Sequence, residues 1–295
     1  MRYTIENEFL SLSVDTHGAE PVSVISKTSG RECIWCGDAA VWGRHAPILF
    51  PYTGKLTNGV LTVDGKDYKG GQHGFARDFE HALTEQSADK LVFTLDSNEA
   101  TRAMFPFDFR LVSVFELQGK TIHHTLRVEN PSEAPLSFGI GYHPAFVVPF
   151  DDSHDTEDYE FRFDEMESPI CIDCRPNGLI SGKCYYLASN TKTVQLTDAL
   201  FDNDSFCMTN LKSSKLGIYE KDTGRGIVCT ISGFPYTLIW SKRGTDGKLP
   251  FVCIEPWHSL PGIEGGSTQW SERAAAAILQ MGEVWSCCLS TEFDC

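Results

Sequence analysis

Three short segments carry side chains of the types that could do acid–base chemistry. In Phe251–Gly262 (FVCIEPWHSLPG), Glu255 ends an apolar run. A carboxylate there is costly unless it has a role or a partner. Burial beside Trp257 raises its pKa and makes it a usable base, whereas the plain alternative is a strand-end carboxylate turned to solvent. In Phe138–Phe146 (FGIGYHPAF), His143 precedes Pro144, which holds it extended. It can serve as a general acid near neutral pH or as a hydrogen-bonded core histidine. In Gly71–Asp78 (GQHGFARD), His73 stands between turn formers, Gly74 permits close backbone approach and Arg77 offers a planar fork to oxygen-rich or anionic groups. The alternative is an ordinary surface loop.

Further polar groups are less distinctive. Arg44 and Lys55 flank the buried-looking block Pro47–Pro51, as pocket-lining cations or as surface charges. Asp204, in Phe201–Phe206 (FDNDSF), can bind hydroxyls or simply serve a turn. Cys33/Cys36 and Cys171/Cys174 are both C-x-x-C pairs, but they lie too far apart for a zinc ribbon or finger. A thioredoxin-like site needs a βαβ setting that the sequence lacks. There is no G-x-S-x-G, Walker A, G-x-G-x-x-G or H-E-x-x-H motif, so nucleotide-driven and zinc-protease chemistry have no local support. No metal or cofactor is expected.

Composition narrows the partners. The formal charge of −15 disfavours nucleic acid and anionic lipid surfaces, though not a local basic pocket for one small anion. The longest apolar runs, Ala46–Pro51 and Ala274–Leu279, fall far short of the roughly 20 residues of a membrane span. Met1–Leu10 carries acidic residues and no signal-like apolar block, so a cytoplasmic protein is expected. The 11 cysteines are sparse for a disulfide scaffold and are expected mostly free and buried.

The elements that must position these residues read as strands. Phe9–Val14, Lys90–Leu95, Phe109–Leu117, Thr121–Val128, Leu136–Ile140, Leu216–Tyr219, Ile227–Ile231 and Tyr236–Trp240 are strand candidates between evenly spread turn signals. Val60–Val63, Asp64-Gly65 and Lys66–Tyr68 read as a hairpin. The alanine run Ala274–Ala277 has helix propensity, yet its second half is read as strand, with helix competing. Asp151–Asp158 is an acidic loop. The expectation is one large antiparallel all-β sandwich spanning residues 1–295, without a linker.

Taken in order, His-Gly-Phe-Ala-Arg at 73–77, Gly-Tyr-His-Pro-Ala-Phe at 141–146 and Cys-Ile-Glu-Pro-Trp at 253–257 resemble the aldose 1-epimerase (galactose mutarotase) family, most closely its LacX-like bacterial branch. Arg44–Pro51 and Gly54-Lys55 add to the likeness, which covers nearly the whole chain. The resemblance implies a large β-supersandwich with an open sugar cleft, an isomerase of free aldoses, and a small sugar as the partner, without metal or cofactor. It places Glu255 as general base, His143 as general acid and His73 on the ring-oxygen side. Lys55 stands where galactose mutarotases carry an arginine. The substrate-binding aspartate falls on Asp204, with Asp202 as the alternative.

Ring opening removes the C1 hydroxyl proton and protonates the ring oxygen, which a carboxylate and an imidazolium on opposite sides of the sugar can do together. Trp257, Phe75 or Tyr142 would stack on the pyranose. The leading expectation is a mutarotase acting on a free hexose, as a monomer or homodimer. Alternatives are a sugar-phosphate mutarotase, with Arg44 and Arg77 on the phosphate, a carbohydrate-binding protein without catalysis, and a two-carboxylate glycosidase.

Overall fold

Alternation writes most of the strands. In Thr121–Glu129, Ile122, His124, Leu126 and Val128 are buried while their neighbours are more exposed; Leu10, Leu12 and Val14 do the same in Leu10–Asp15. Period-2 burial of this kind fixes which face of a strand meets the core. The expected hairpin forms: Val60–Val63 pairs with Lys66–Lys69. Its turn residues Asp64 and Gly65 have φ of 50° and 75°, the backbone that a two-residue turn requires.

The computed structural model describes residues 1–295, and they form mostly antiparallel β-sheet. A nine-stranded sheet runs, neighbour by neighbour, through Thr191–Gln195, Tyr159–Glu167, Lys215–Glu220, Gly226–Thr230, Val284–Asp294, Thr121–Glu129, Arg110–Gln118, Lys90–Asp96 and Ala82–Gln86. An eight-stranded sheet runs through Ile180–Tyr186, Ile170–Cys174, Ser205–Thr209, Tyr236–Trp240, Phe251–Trp257, Gly141–Tyr142 and Ile48–Leu49, with Ala145–Val147 also on Phe251–Trp257. A three-stranded sheet, Arg2–Glu6, Leu10–Asp15 and Glu20–Ser26, precedes them. Phe115 and Leu126 of the larger sheet and Ile239, Val252 and Ile254 of the smaller belong to one cluster of 52 buried apolar residues. Each large side chain so buried contributes about 1.5–3 kcal/mol.

Every residue of Phe251–Trp257 is buried. The strand is covered on both faces, which is why it reads as a continuous apolar run. Along one edge its residues Cys253–Trp257 pair with Tyr236–Trp240. Along the other it meets two short strands, Ala145 opposite Cys253 and Gly141 opposite Trp257. Between them the ladder stops, because Pro144 and Pro256 supply no N–H. The register carried through this break sets His143 opposite Glu255.

Helix is confined to Glu99–Arg102 and a few single 3₁₀ turns. The alanine run forms no helix; Ala277–Leu279 is a short strand against Leu136–Phe138. Five strands between residues 159 and 209 carry no reading in the sequence. Ile180–Tyr186 and Thr191–Gln195 are mostly exposed and show little apolar alternation, and Tyr159–Glu167 alternates only over its first half before turning acidic. No helix is long and apolar enough to cross a membrane.

Candidate active site

The break in the ladder opens on a cavity of about 280 Å³, lined among others by Lys55, His73, Arg77, His143, Asp204, Glu255 and Trp257. At its floor, His143 Nε2 lies 3.3 Å from Glu255 Oε2. Side chains directly opposite across antiparallel strands have Cβ atoms about 5 Å apart, so contact follows from the register. This corrects the expectation that carboxylate and imidazole stand on opposite sides of a sugar. No ring fits between them; both meet a ligand from one side.

The imidazole is clamped. Trp42 stacks on His143 with centroids 4.8 Å apart and planes 24° from parallel. The rings of Trp240 and His73 meet it edge-on at 5.7 and 5.3 Å. His143 Nδ1 and both Glu255 carboxylate oxygens are buried and accept or donate no hydrogen bond. Burial, and then the Asp204 charge, push Glu255 well above the carboxylate range. Burial, and then the Arg77 guanidinium, hold His143 down to about 3. The two opposite shifts both favour the neutral form of the pair, with the proton on Glu255 rather than on His143. Cys253 Sγ lies within 4.8 Å of both donor groups and backs them from inside the sheet.

His73 sits in a turn with φ of 67°. Its Nδ1 accepts the Gly54 N–H at 3.0 Å, which leaves the proton of the neutral ring on Nε2. Burial, then His143, lower its pKa well below the usual value, so the ring is a neutral donor. Gly74, with φ of 70°, could carry no side chain: a Cβ there would lie 2.1 Å from the Phe50 carbonyl oxygen.

Asp204 lines the cavity and accepts the Trp240 indole N–H at 3.2 Å; burial raises its pKa. Asp202 instead pairs with Arg243 at 3.5 Å, away from the cavity. Lys55 and Arg77 reach the cavity as expected. Arg44 does not. Its guanidinium is held by Asp78, by the Arg77 carbonyl at 2.9 Å and by Glu20 at 3.5 Å. It braces the Arg77 backbone from behind, so the expectation that it lines the pocket is corrected.

Of the three aromatic candidates only Trp257 lines the cavity, its indole donating to the Tyr142 carbonyl at 3.2 Å. Phe75 packs among Phe79, Phe105 and Phe109. Tyr142 turns its hydroxyl into the core, to the His124 carbonyl at 2.7 Å. Trp42, Gln72, Arg175, Trp240 and Lys242 also line the cavity. The sequence singled out none of these five as site residues, although Gln72 lies in a segment it flagged, Trp42 stands two residues before Arg44 and Trp240 ends a strand it found. Arg175 and Lys242 lie in loops with no pattern to mark them. A separate compact group, Asp151, His154 and Glu220, is filled by the Arg225 guanidinium, 2.7 Å from Glu220.

The sequence pattern of the aldose 1-epimerase family matches residues 1–268. This chain belongs to the aldose 1-epimerase family. It is 31% identical over 269 residues to the chromosomal protein LacX of Lactococcus lactis subsp. lactis, covering 88% of each chain. A galactose mutarotase related enzyme from Lactobacillus acidophilus superposes with a TM-score of 0.93 at 28% identity, over 99% of this chain and 97% of that one. A galactose mutarotase-like protein from Lactobacillus casei gives 0.90 at 29% identity, over 99% of both. The galactose mutarotase-like sandwich is thus the architecture of this epimerase-family member.

Proposed function

We propose that the protein is an aldose 1-epimerase that interconverts the α and β anomers of a hexose through Glu255 and His143. The contact between these two side chains at the cavity floor carries the reading. The C1 hydroxyl and the ring oxygen of a pyranose are bonded to the same carbon, so a base for one and an acid for the other can serve both while standing side by side. A pair that holds a single proton has what the reaction needs.

With a sugar bound, Glu255 as carboxylate takes the hydroxyl proton while His143 as imidazolium protonates the ring oxygen. The C1–O5 bond breaks, leaving an open-chain aldehyde with Glu255 protonated and His143 neutral. That neutral pair is also the form that burial favours. Rotation about C1–C2 presents the other carbonyl face. Closure returns the Glu255 proton to the carbonyl oxygen and the attacking hydroxyl's proton to His143. Each positioned proton transfer contributes about 10²–10⁴-fold. His73 Nε2–H donates to a sugar oxygen, Asp204 accepts from hydroxyls, and Trp257 meets the apolar face of the ring.

A second reading, that the hexose carries a phosphate, is favoured by charge. Lys55, Arg77 and Lys242 line the cavity without an ion-pair partner; Arg77 donates to the Gln72 carbonyl and Lys242 to that of Val41, both at 2.7 Å. In a chain of net charge −15, uncompensated cations concentrated in one cavity suit an anionic substrate.

Polarimetry on freshly dissolved α-glucose and α-galactose, and an anomer-specific assay on their 6-phosphates, tests both readings. Acceleration of a free sugar supports the first and a preference for the phosphate supports the second. Binding of a sugar without any acceleration contradicts both and leaves a carbohydrate-binding protein.

A further inference from the structure

The C-x-x-C pair Cys33/Cys36 has no part in the site. The backbone from Cys33 is extended: the Cys33 N–H bonds to Val24 O at 2.8 Å and the Trp35 N–H to Ala145 O at 2.9 Å. At about 3.3 Å per residue, the Cα atoms of Cys33 and Cys36 lie near 10 Å apart, beyond the roughly 7 Å that a disulfide spans. The two cysteines point to different environments, Cys33 buried and Cys36 exposed.

Cys33 meets another thiol instead. Its Sγ lies 2.7 Å from Cys295 Sγ, across 262 positions of sequence. Cys295 directly follows the strand Val284–Asp294, whose end is fixed by Gly226 opposite Asp294 and by the Phe293 N–H bonded to Lys120 O at 2.9 Å. Cys33 is fixed by Val24 on one side and, through its carbonyl, by the Val147 N–H at 3.1 Å on the other. Cys33 is thus held by backbone bonds to two neighbouring segments and Cys295 directly follows a paired strand, so the sulfurs are brought together by the fold. Cys295 is the accessible member: it is half-buried and borders a surface groove of about 170 Å³ shared with Ser26, Phe293 and Asp294.

We propose that Cys33 and Cys295 are a disulfide-forming modification site that, on exposure to a disulfide oxidant, ties the end of the last strand to the segment joining the N-terminal sheet to the rest of the fold. The oxidant is a low-molecular-weight disulfide such as oxidised glutathione. The Cys295 thiolate attacks one glutathione sulfur and releases one glutathione thiolate. The Cys33 thiol then loses its proton and attacks Cys295 Sγ, expelling the second glutathione. Two protein thiols are oxidised to one disulfide, and one glutathione disulfide is reduced to two thiols. The order of events follows exposure. The Cys295 thiol beside it and burial push the Cys33 thiol above the usual range, so Cys295 meets the oxidant first. This inference is independent of the proposed function.

The test treats the folded, fully reduced protein with oxidised glutathione, alkylates the remaining thiols, and digests it without reduction. The expected result is a linked peptide containing Cys33 and Cys295, an intact mass lower by two hydrogens, and a melting temperature higher by about 3–9 °C that dithiothreitol reverses. C36S retains the link. C33S stops the exchange half-way and accumulates glutathione on Cys295. Cys33 remaining alkylatable after oxidation, or Cys295 recovered joined to any other cysteine, would overturn the proposal.

Discussion

His143 stands in the gap between two short strands that pair with Phe251–Trp257, where Pro144 and Pro256 interrupt the ladder; the register on either side of the gap brings it opposite Glu255, and their side chains meet at 3.3 Å. His143 Nδ1 and both Glu255 carboxylate oxygens have no hydrogen-bond partner and are free to serve a ligand. Such a costly arrangement is expected where polar groups act on a substrate.

The pH profile follows from the shared proton. The pair gains a second proton only near the His143 value of about 3 and loses its single proton only above the raised Glu255 value. With His143 held down to about 3, the imidazole should contribute no limb to the turnover rate between about pH 5 and pH 7. A limb centred near 6.5, the value of a free imidazole, is the contrary result.

Trp42 holds the imidazole by stacking at 4.8 Å. Trp42→Ala should admit water to the ring, raise the His143 pKa toward 6.5 and lower turnover about tenfold. The titration of His143 by NMR checks the first effect and polarimetry the second. An unmoved titration would show that the tryptophan does not control solvation of the acid.

Trp240 fixes Asp204 through its indole N–H at 3.2 Å. Trp240→Phe removes that donor and keeps most of the ring. The expected outcome is a KM several-fold higher with turnover within about twofold, because the carboxylate binds hydroxyls and does not transfer protons. A fall in turnover alone would contradict that division.

Stability should fall with acid well before the carboxylates titrate. His81 and His124 are buried and held to about 4 and about 3 by desolvation. Unfolding releases them to about 6.5. Between 6.5 and the folded values these two rings bind more protons in the unfolded chain, so their contribution to stability drops as pH falls and is constant above 6.5. At pH 5 each ring costs about 2 kcal/mol. Thermal melts at pH 7.5 and 5 should differ by several degrees; equal melting temperatures would mean these rings are solvated.

Much of this was legible in the residues themselves. An acid at the end of an apolar run marked Glu255, and a histidine before proline marked His143. Alternation gave most strands of the nine-stranded sheet. What sequence could not carry was register: nothing in either segment says that residue 143 lies opposite 255, which is why a sugar-wide gap was expected where there is contact. Arg44 has the same composition as a pocket cation, and only the positions of Glu20 and Asp78 turn it away. The partner of Cys33 is hidden for a related reason. A nearby cysteine three residues on draws the eye, while the one in contact lies at the far end of the chain.

The most direct test of the acid–base pair is a double-mutant cycle on the mutarotation rate of fresh α-anomers, using Glu255→Gln, His143→Asn and the two together, each checked for unchanged circular dichroism. If the two side chains work as one unit, each single variant loses about 100-fold or more and the double variant loses little beyond the worse single. Losses that simply multiply, or a Glu255→Gln enzyme with full activity, would contradict the account.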